Sequence, residues 1–333
     1  MSSANEGLSA GGSTPALSAK ELAALARSSP ESFGPDSDYP YLAFDLAGSD
    51  PRLSAWLENL PCPIVGIGEG ALATSCDVVI PDPKGLVGIA RNVAASPMAA
   101  MVLVQQLRAS AGLSSAHALT AESFAYATLQ AGPEFRRWHL AHASSAAAPT
   151  RGANPLFVVR EGEVLRITLN HPARRNAIGV DMRDALVEAL DLALIDPEIR
   201  SVELRASGAC FSIGGDVAEF ARVSDPGTAH WIRTLRLPAR RVMHLADRLR
   251  VRVNGAAIGA GVEIACFAQR ITATADAWFQ LPELHYGLIP GAGGTVSLPR
   301  RIGRQRTAYM ALSMRRVPAS IALGWGLIDA IEE

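Results

Sequence analysis

The feature that most limits the fold of this chain is a strand, a loop of small residues and an apolar helix in succession. Leu249–Val253 alternates apolar and charged residues and predicts a strand, and residues 254–259 form a loop whose small side chains allow the backbone to approach a ligand closely. The helix that follows begins near Ala260, where unpaired N–H groups and the helix dipole favour negative charge. This succession predicts an α/β fold with an anion site at the loop.

Two glutamates lie in apolar surroundings close to this loop. Glu263 is placed inside the apolar helix, and twenty positions later Glu283 lies between Leu281 and Leu284. Each glutamate alone could be a salt-bridged residue beside a tight turn, but glutamate is rarely buried without a reason. Together they predict a carboxylate pair next to the anion site. The glycine-rich residues 291–295 are interpreted as structural, forming a tight turn.

Composition narrows the class of protein. The chain has 333 residues, 49% of them hydrophobic and 19% charged, with a formal net charge of −1. These values are typical of a globular protein and argue against a bulk nucleic-acid or anionic-membrane surface. The cysteines have no metal-binding spacing and indicate buried thiols in a reducing compartment. With no leader pattern and no apolar run near 18 residues, we expect a cytoplasmic protein.

The length and the order of predicted elements indicate two domains after a flexible segment at residues 1–38. Residues 39–148 are predicted to form a small α/β-helical domain, with strands between 41 and 80 and helices at 87–94, 97–108, 120–129 and 134–142. A linker of small residues is predicted at 144–154, before a second domain at 155–333. There, Asp216 is expected to cap a helix, and residues 229–248 to form one long helix with a bend at Pro238.

From Leu156 onward the chain resembles the crotonase (enoyl-CoA hydratase/isomerase) superfamily. Five sequence segments carry this resemblance, in the order and at the spacing of the family. They are residues 167–177 with Asn170-His171-Pro172, residues 211–216 with Gly214-Gly215-Asp216, residues 254–263, residues 282–295, and residues 322–329 with Gly324-Trp325-Gly326.

The resemblance implies an α/β fold with a crotonase-like spiral core of ββα units. It also implies that the backbone N–H groups of Gly215 and Ala260 hold a thioester carbonyl, with Glu263 and Glu283 as the acid–base pair. Coenzyme A is expected along two loops, through Arg174, Arg175, Ala177, Ser212 and Gly214.

The reaction that the resemblance implies is addition of water across the 2,3 double bond of an enoyl-CoA. Both glutamates are present, whereas family members that only shift a double bond commonly keep just the one matching Glu283. Double-bond isomerisation, thioester hydrolysis, C–C cleavage and non-catalytic acyl-CoA binding remain alternatives. We expect no metal and no cofactor beyond the CoA of the substrate, and a homo-oligomer (trimer or hexamer), as the family implies.

The resemblance also implies a helical module of about sixty residues after the position of Asp329, which covers the acyl pocket. This chain ends at Glu333, and residues 85–145 have a helical pattern of similar length. We therefore expect the helical N-terminal domain to replace that module, in cis or from a neighbouring subunit. The alternative is an unrelated regulatory domain.

Overall fold

A computed structural model describes residues 16–142, 154–220 and 225–332; most of the predicted linker at 144–154 lies outside them. The strands are β1 (Leu42–Asp45), β2 (Ile64–Ile67), β3 (Val78–Ile80), β4 (Leu156–Glu161), β5 (Val164–Leu169), β6 (Ser201–Ala206), β7 (Leu249–Val253), β8 (Ala256–Ile258), β9 (Arg270–Thr274), β10 (Trp278–Gln280), β11 (Val317–Pro318) and β12 (Ala330–Glu332). The helices are α1 (Ala19–Leu25), α2 (Ser54–Asn59), α3 (Leu86–Ala95), α4 (Pro97–Ala109), α5 (Ser115–Gln130), α6 (Pro133–His142), α7 (Val180–Ile195), α8 (Pro226–Arg236), α9 (Ala239–Val242), α10 (Ala260–Ala265), α11 (Gly294–Ile302), α12 (Arg304–Ser313) and α13 (Ala319–Trp325).

A six-stranded sheet forms the frame of the C-terminal half, in the order β12-β9-β7-β6-β5-β4. The hairpin β4–β5 is antiparallel, and every other neighbouring pair is parallel. In β7, Leu249, Val251 and Val253 are buried and the arginines between them are exposed, as the alternating sequence predicts. Strand β7 leads directly to β8, which pairs with β10 in a second small sheet. The glycine loop, residues 254–259, is thus only partly a loop as predicted: its middle residues form β8, and it carries the chain from the six-stranded sheet to the small one.

A third sheet, β1-β2-β3, is parallel and lies near the N-terminus. One of its faces, with Leu42 and Phe44, packs with α1 and α2 in a separate hydrophobic cluster. The other face, with Ala43 and Val65, belongs to a large core that continues to Ile328. Residues on both sides of the predicted linker thus share one hydrophobic core.

A buried aspartate ties the small sheet to both halves of the chain. Asp77, just before β3, is 1% exposed and accepts a hydrogen bond from the N–H of Ile64 at 2.9 Å. Arg108 of α4 pairs with both of its carboxylate oxygens, and Arg304 of α12 donates to its Oδ1 at 2.8 Å. A buried carboxylate is tolerated because charged donors compensate for the lost hydration.

The predicted long helix over residues 229–248 is wrong. The structure has two helices, α8 and α9, and residues 243–248 are not helical. The break occurs at Pro238, which has no N–H to continue the helix, and the preceding Leu237 is extended with ψ of 121°. The helix predicted after Asp216 is only a short 3-10 turn, although Asp216 does cap it through the N–H of Ala218.

Helices α3 to α6 pack in the same chain against the segment that contains Glu283. The Ser96 hydroxyl, between α3 and α4, donates to the carbonyl of Leu284 at 2.7 Å. At Gly287 the φ of +67° and the closeness of Glu134 leave no room for a side chain, so α6 lies directly on this turn. Among the described residues no single helix is long and apolar enough to cross a membrane; residues 83–95 and 97–109 meet that test only as a pair bent by 110°.

Candidate active site

A cavity of about 450 Å³ opens between the glycine loop and the N-terminal helices. Gly215 and Ala260 both line it, and neither backbone N–H has an acceptor among the described residues. The N–H of Ala260 is free because it begins α10, where intrahelical acceptors are absent. The structure therefore brings together the two predicted amides on one wall of the cavity.

Glu263 lines the same cavity from the first turn of α10. Its side chain is 2% exposed, and its Oε2 accepts hydrogen bonds from the N–H groups of Ala292 at 2.7 Å and Gly294 at 2.8 Å. A Cβ at Gly294 would lie 2.6 Å from the Cγ of Glu263, so the turn can approach the carboxylate only with glycine there.

Glu283 also lines the cavity and lies next to the glycine loop. It is 9% exposed, and its Oε2 is buried without a hydrogen-bond partner. Its other oxygen is next to Gly259, where an added Cβ would come within 2.6 Å of it. Gly259 also has φ of +49°, a conformation that other residues rarely adopt. An unpaired buried carboxyl oxygen is costly and is typical of a reactive group.

A third buried carboxylate, Glu122 of α5, was not predicted. It is 1% exposed and its Oε1 accepts from the N–H of Gly293 at 2.7 Å. Its Oε2 accepts from both the N–H and the hydroxyl of Thr295 at 2.8 Å. The available signal was its helical position: Glu122 lies three residues after the buried Leu119 and seven before the buried Leu129, on the inward face of the helix.

The turn at residues 292–295 connects these two carboxylates. The amides of Ala292 and Gly294 point to Glu263, and the intervening amides of Gly293 and Thr295 point to Glu122. Residues 291–295 thus do more than turn the chain, because their amides hold a predicted catalytic side chain in place.

Burial raises the pKa of all three carboxyls, and the charge of Glu122 adds to this effect for Glu263 and Glu283. Burial is the main cause for Glu122, with a pKa of about 7, and for Glu283, with a pKa of about 8. The pKa of Glu263 lies well above its usual range, through burial and then through the charges of Glu283 and Glu122. Close carboxyls titrate as a group, so the site retains protons near neutral pH.

The residues predicted to bind CoA lie on two adjacent loops. The side chain of Asn176 is fully buried and bonds the residues around it at His171, Ser207 and Cys210, which fixes the first loop. In that loop Arg175 is exposed, with φ of +51°. Arg174 forms an ion pair with Asp216 at 2.5 Å.

The other predicted CoA-binding residues are buried. Ala177 precedes the cavity-lining Ile178, while Ser212 and Gly214 are engaged within the protein. The N–H of Ser212 donates to Ala256, and that of Gly214 donates to the Ser212 hydroxyl at 3.1 Å. Their amides are thus occupied. In the described parts of the chain, no cluster of three His, Cys, Asp or Glu side chains could hold a metal ion.

The C-terminal half of the chain is similar to known proteins. The family model "Enoyl-CoA hydratase/isomerase" matches residues 160–332. The 2,3-dehydroadipyl-CoA hydratase of Escherichia coli (strain K12) is 35% identical over 176 residues, which cover 53% of this chain and 68% of that protein. The carnitinyl-CoA dehydratase of Salmonella paratyphi A is 32% identical over 177 residues, or 53% and 67% of the two chains. The solved structure of AtuE from Pseudomonas aeruginosa has a TM-score of 0.50 at 31% identity, over 54% of this chain and 70% of that one.

The sheet order and the glycine loops between the sheets define a crotonase-like α/β protein. The chain belongs to the enoyl-CoA hydratase/isomerase family, as its sequence predicts. Helices α3 to α6, which carry Glu122, precede the residues that the family model matches.

Proposed function

We propose that this protein is an enoyl-CoA hydratase that adds water across the 2,3 double bond of an enoyl-CoA. One observation carries the proposal: two buried carboxyls and two backbone N–H groups without acceptors face the same cavity. Hydration of a conjugated thioester needs both features, because negative charge develops on the carbonyl oxygen while one proton leaves water and another reaches carbon.

In the first step, the thioester carbonyl accepts hydrogen bonds from the N–H groups of Gly215 and Ala260. Glu263 acts as the base: the two N–H groups that bond its Oε2 oppose the burial and the neighbouring charges that raise its pKa, and a raised pKa strengthens its ionised form as a base. It takes a proton from water while the water oxygen bonds to C3. The electrons of the double bond move onto the carbonyl oxygen and give an enolate, which the two amides stabilise.

In the second step, Glu283 acts as the acid. Burial without a hydrogen bond at Oε2 favours its protonated form, with a pKa of about 8. Its proton passes to C2 as the enolate collapses to the thioester. The proton held by Glu263 then restores Glu283 for the next cycle, so water is the only reactant consumed besides the enoyl-CoA.

Hydration of crotonyl-CoA, followed by loss of the enoyl absorbance, tests the proposal. We expect Glu283→Gln to lower kcat by about 10² or more, since general acids typically contribute 10²–10⁴, while CoA affinity stays nearly unchanged. A variant that keeps more than about a tenth of the wild-type rate would contradict the assignment of the acid.

Double-bond isomerisation is distinguished by supplying a 3-enoyl-CoA and following the gain of enoyl absorbance. Isomerisation moves a proton between C2 and C4 and requires no attacking water. We expect Glu263→Gln to abolish hydration. If the isomerase rate on a 3-enoyl-CoA exceeds the hydration rate of the wild-type protein, isomerisation is the main activity instead.

We further infer that α3 to α6 take the place of the C-terminal helical module of relatives and cover the acyl pocket in cis. The contacts of Glu122 with the turn and of Ser96 with Leu284 support this inference. Arg175 and Ala177 are the residues we propose for CoA contact. Homo-oligomeric assembly and a cytoplasmic location stay predictions from the sequence.

A further inference from the structure

The cavity contains one positively charged group whose partners are all neutral. Several lining groups are charged, but most are paired: Arg183 bonds Asp184 at 2.9 Å, and Asp216 bonds Arg174. Arg233 of α8 also lines the cavity, and no carboxylate among the described residues lies within ion-pair distance of it.

Arg233 is held in place by three hydrogen bonds and a ring. Its Nε donates to the hydroxyl of Ser123 at 3.0 Å, its Nη1 to Gln130 at 3.0 Å, and its Nη2 to the carbonyl of Ser123 at 3.4 Å. The guanidinium lies 4.7 Å from the ring centre of Tyr126. A guanidinium has five N–H donors, so one hydrogen on each terminal nitrogen remains for a ligand. This pair of donors matches the two oxygens of a carboxylate.

No negatively charged side chain among the described residues forms an ion pair with the guanidinium of Arg233. Burial lowers the pKa of Arg233, and the nearby Glu122 and Tyr126 oppose this effect. Both oxygens of Glu122, however, accept hydrogen bonds from the turn at residues 293–295. Arginine stays protonated in proteins, so a ligand anion would gain a fixed, partly desolvated cation.

Arg233 is connected to the catalytic carboxyls by a short series of contacts. Tyr126, which its guanidinium covers, packs against Gly291, where an added Cβ would come within 2.3 Å of the ring. The next residue, Ala292, donates to Glu263. The cavity between them is lined by apolar side chains, and its volume of about 450 Å³ suits a short acyl chain. The apolar lining residues include Ile178, Ala229, Ile232, Leu237, Pro238 and Ile264.

We propose that Arg233 is an anion subsite for the far end of the acyl chain. The preferred substrates are then CoA thioesters of short unsaturated dicarboxylic acids, with the free carboxylate on the two remaining N–H donors of Arg233. This proposal rests on the proposed hydratase function for its substrate class, but the subsite itself can be measured by binding alone.

The test uses the full-length protein and saturated thioesters of equal length, so that binding is measured without turnover. Calorimetry gives the Kd of glutaryl-CoA against pentanoyl-CoA, and of adipyl-CoA against hexanoyl-CoA. We expect the carboxylated member of at least one pair to bind about 10- to 100-fold more tightly, as for a hydrogen-bonded charge pair. Equal or weaker binding of both carboxylated thioesters by the wild-type protein would overturn the proposal, whatever any variant does.

Two variants of Arg233 test separately the contribution of its positive charge and that of the planar, two-pronged arrangement of its N–H donors. We expect Arg233→Met to reduce the preference to below about threefold and Arg233→Lys to keep part of it, since lysine retains the charge without the planar fork. Arg236→Gln is the matched control, because Arg236 is on the same helix but pairs with Asp184 at 3.2 Å and does not line the cavity. A preference that survives in Arg233→Met would contradict the subsite.

Turnover then distinguishes the two proposals. If the protein hydrates pent-2-enoyl-CoA and shows no preference for its carboxylated counterpart, in kcat/KM or in binding, the hydratase function is supported and the anion subsite is contradicted. If it prefers the carboxylated thioesters in binding but hydrates no enoyl-CoA, the anion subsite is supported and the hydratase function is contradicted.

Discussion

Replacing Glu122 with glutamine tests whether the N-terminal helices take part in the chemistry. Glutamine has nearly the same shape but only one oxygen, whereas Glu122 accepts from Gly293 and from two donors of Thr295. If the amide oxygen of the glutamine accepts the hydrogen bonds of Thr295, its –NH₂ group faces the N–H of Gly293. Two donors then face each other, and the hydrogen bond from Gly293 to a charged group is lost. Such a loss costs about 1.5–3 kcal/mol in stability.

The effect on activity follows from the shared turn. A displaced Gly293 shifts the neighbouring amides of Ala292 and Gly294, which bond Glu263, and misplacement of a catalytic group by about 1 Å can cost up to 10²-fold. We therefore expect kcat for crotonyl-CoA hydration to fall by about 10- to 10²-fold, with a smaller change in KM.

The pH profile gives a second readout of the same variant. The charge of Glu122 raises the pKa of both Glu263 and Glu283, so its removal lowers them. Activity requires protonated Glu283 and is lost as the pH rises through its pKa of about 8 in the wild type. In Glu122→Gln this alkaline limb should move to lower pH.

Glu134→Gln is the matched control. Glu134 is also buried in the N-terminal helices and accepts two backbone N–H groups, from Met98 at 2.7 Å and Ala99 at 3.0 Å. We expect it to lose stability without a shift of the alkaline limb. Wild-type kcat together with an unmoved limb in Glu122→Gln would refute the role of the turn.

Two further substitutions test other features. Gly259→Ala should lower kcat by about 10² or more, because φ is +49° and the new Cβ would lie 2.6 Å from a Glu283 oxygen. The control is Gly88→Ala in α3, where an added Cβ meets no atom within 4 Å. Equal activity of the two variants would contradict the argument. Asp77→Asn should cost about 3 kcal/mol and lower Tm by roughly 6–12 °C in thermal unfolding, since it leaves buried arginine charge unpaired. The exposed pair of Asp50 provides the comparison, and Asp50→Asn should leave Tm nearly unchanged; similar losses in both would show that burial of Asp77 is not the cause.

Sequence reasoning was accurate where the determinants are local. The alternation in β7 and the small residues before α10 predicted a strand and a helix that the structure contains. The apolar surroundings of Glu263 and Glu283 also predicted a carboxylate pair, and the two short strands β9 and β10 that separate them in the chain return Glu283 to the same cavity.

Sequence reasoning failed where a partner is distant along the chain. Glu122 lies 171 residues before Gly293, and its helical position indicates burial without indicating what it contacts. The role of the amides at residues 292–295 could not be predicted either, since a run of glycines predicts a turn but not the acceptors of its N–H groups. At Pro238 the signal was present, and the restriction on the residue before proline outweighed the helical pattern around it.

The shared core has a consequence for how the protein folds. Helices α3 to α6 are synthesised before the residues against which they bury their apolar faces, since that core continues to Ile328. During synthesis, α4 and α5 therefore keep apolar surface exposed until α11 and α12, against which they pack, have been made. The carboxylate site likewise requires residues 292–295 to be made before Glu122 has its partners.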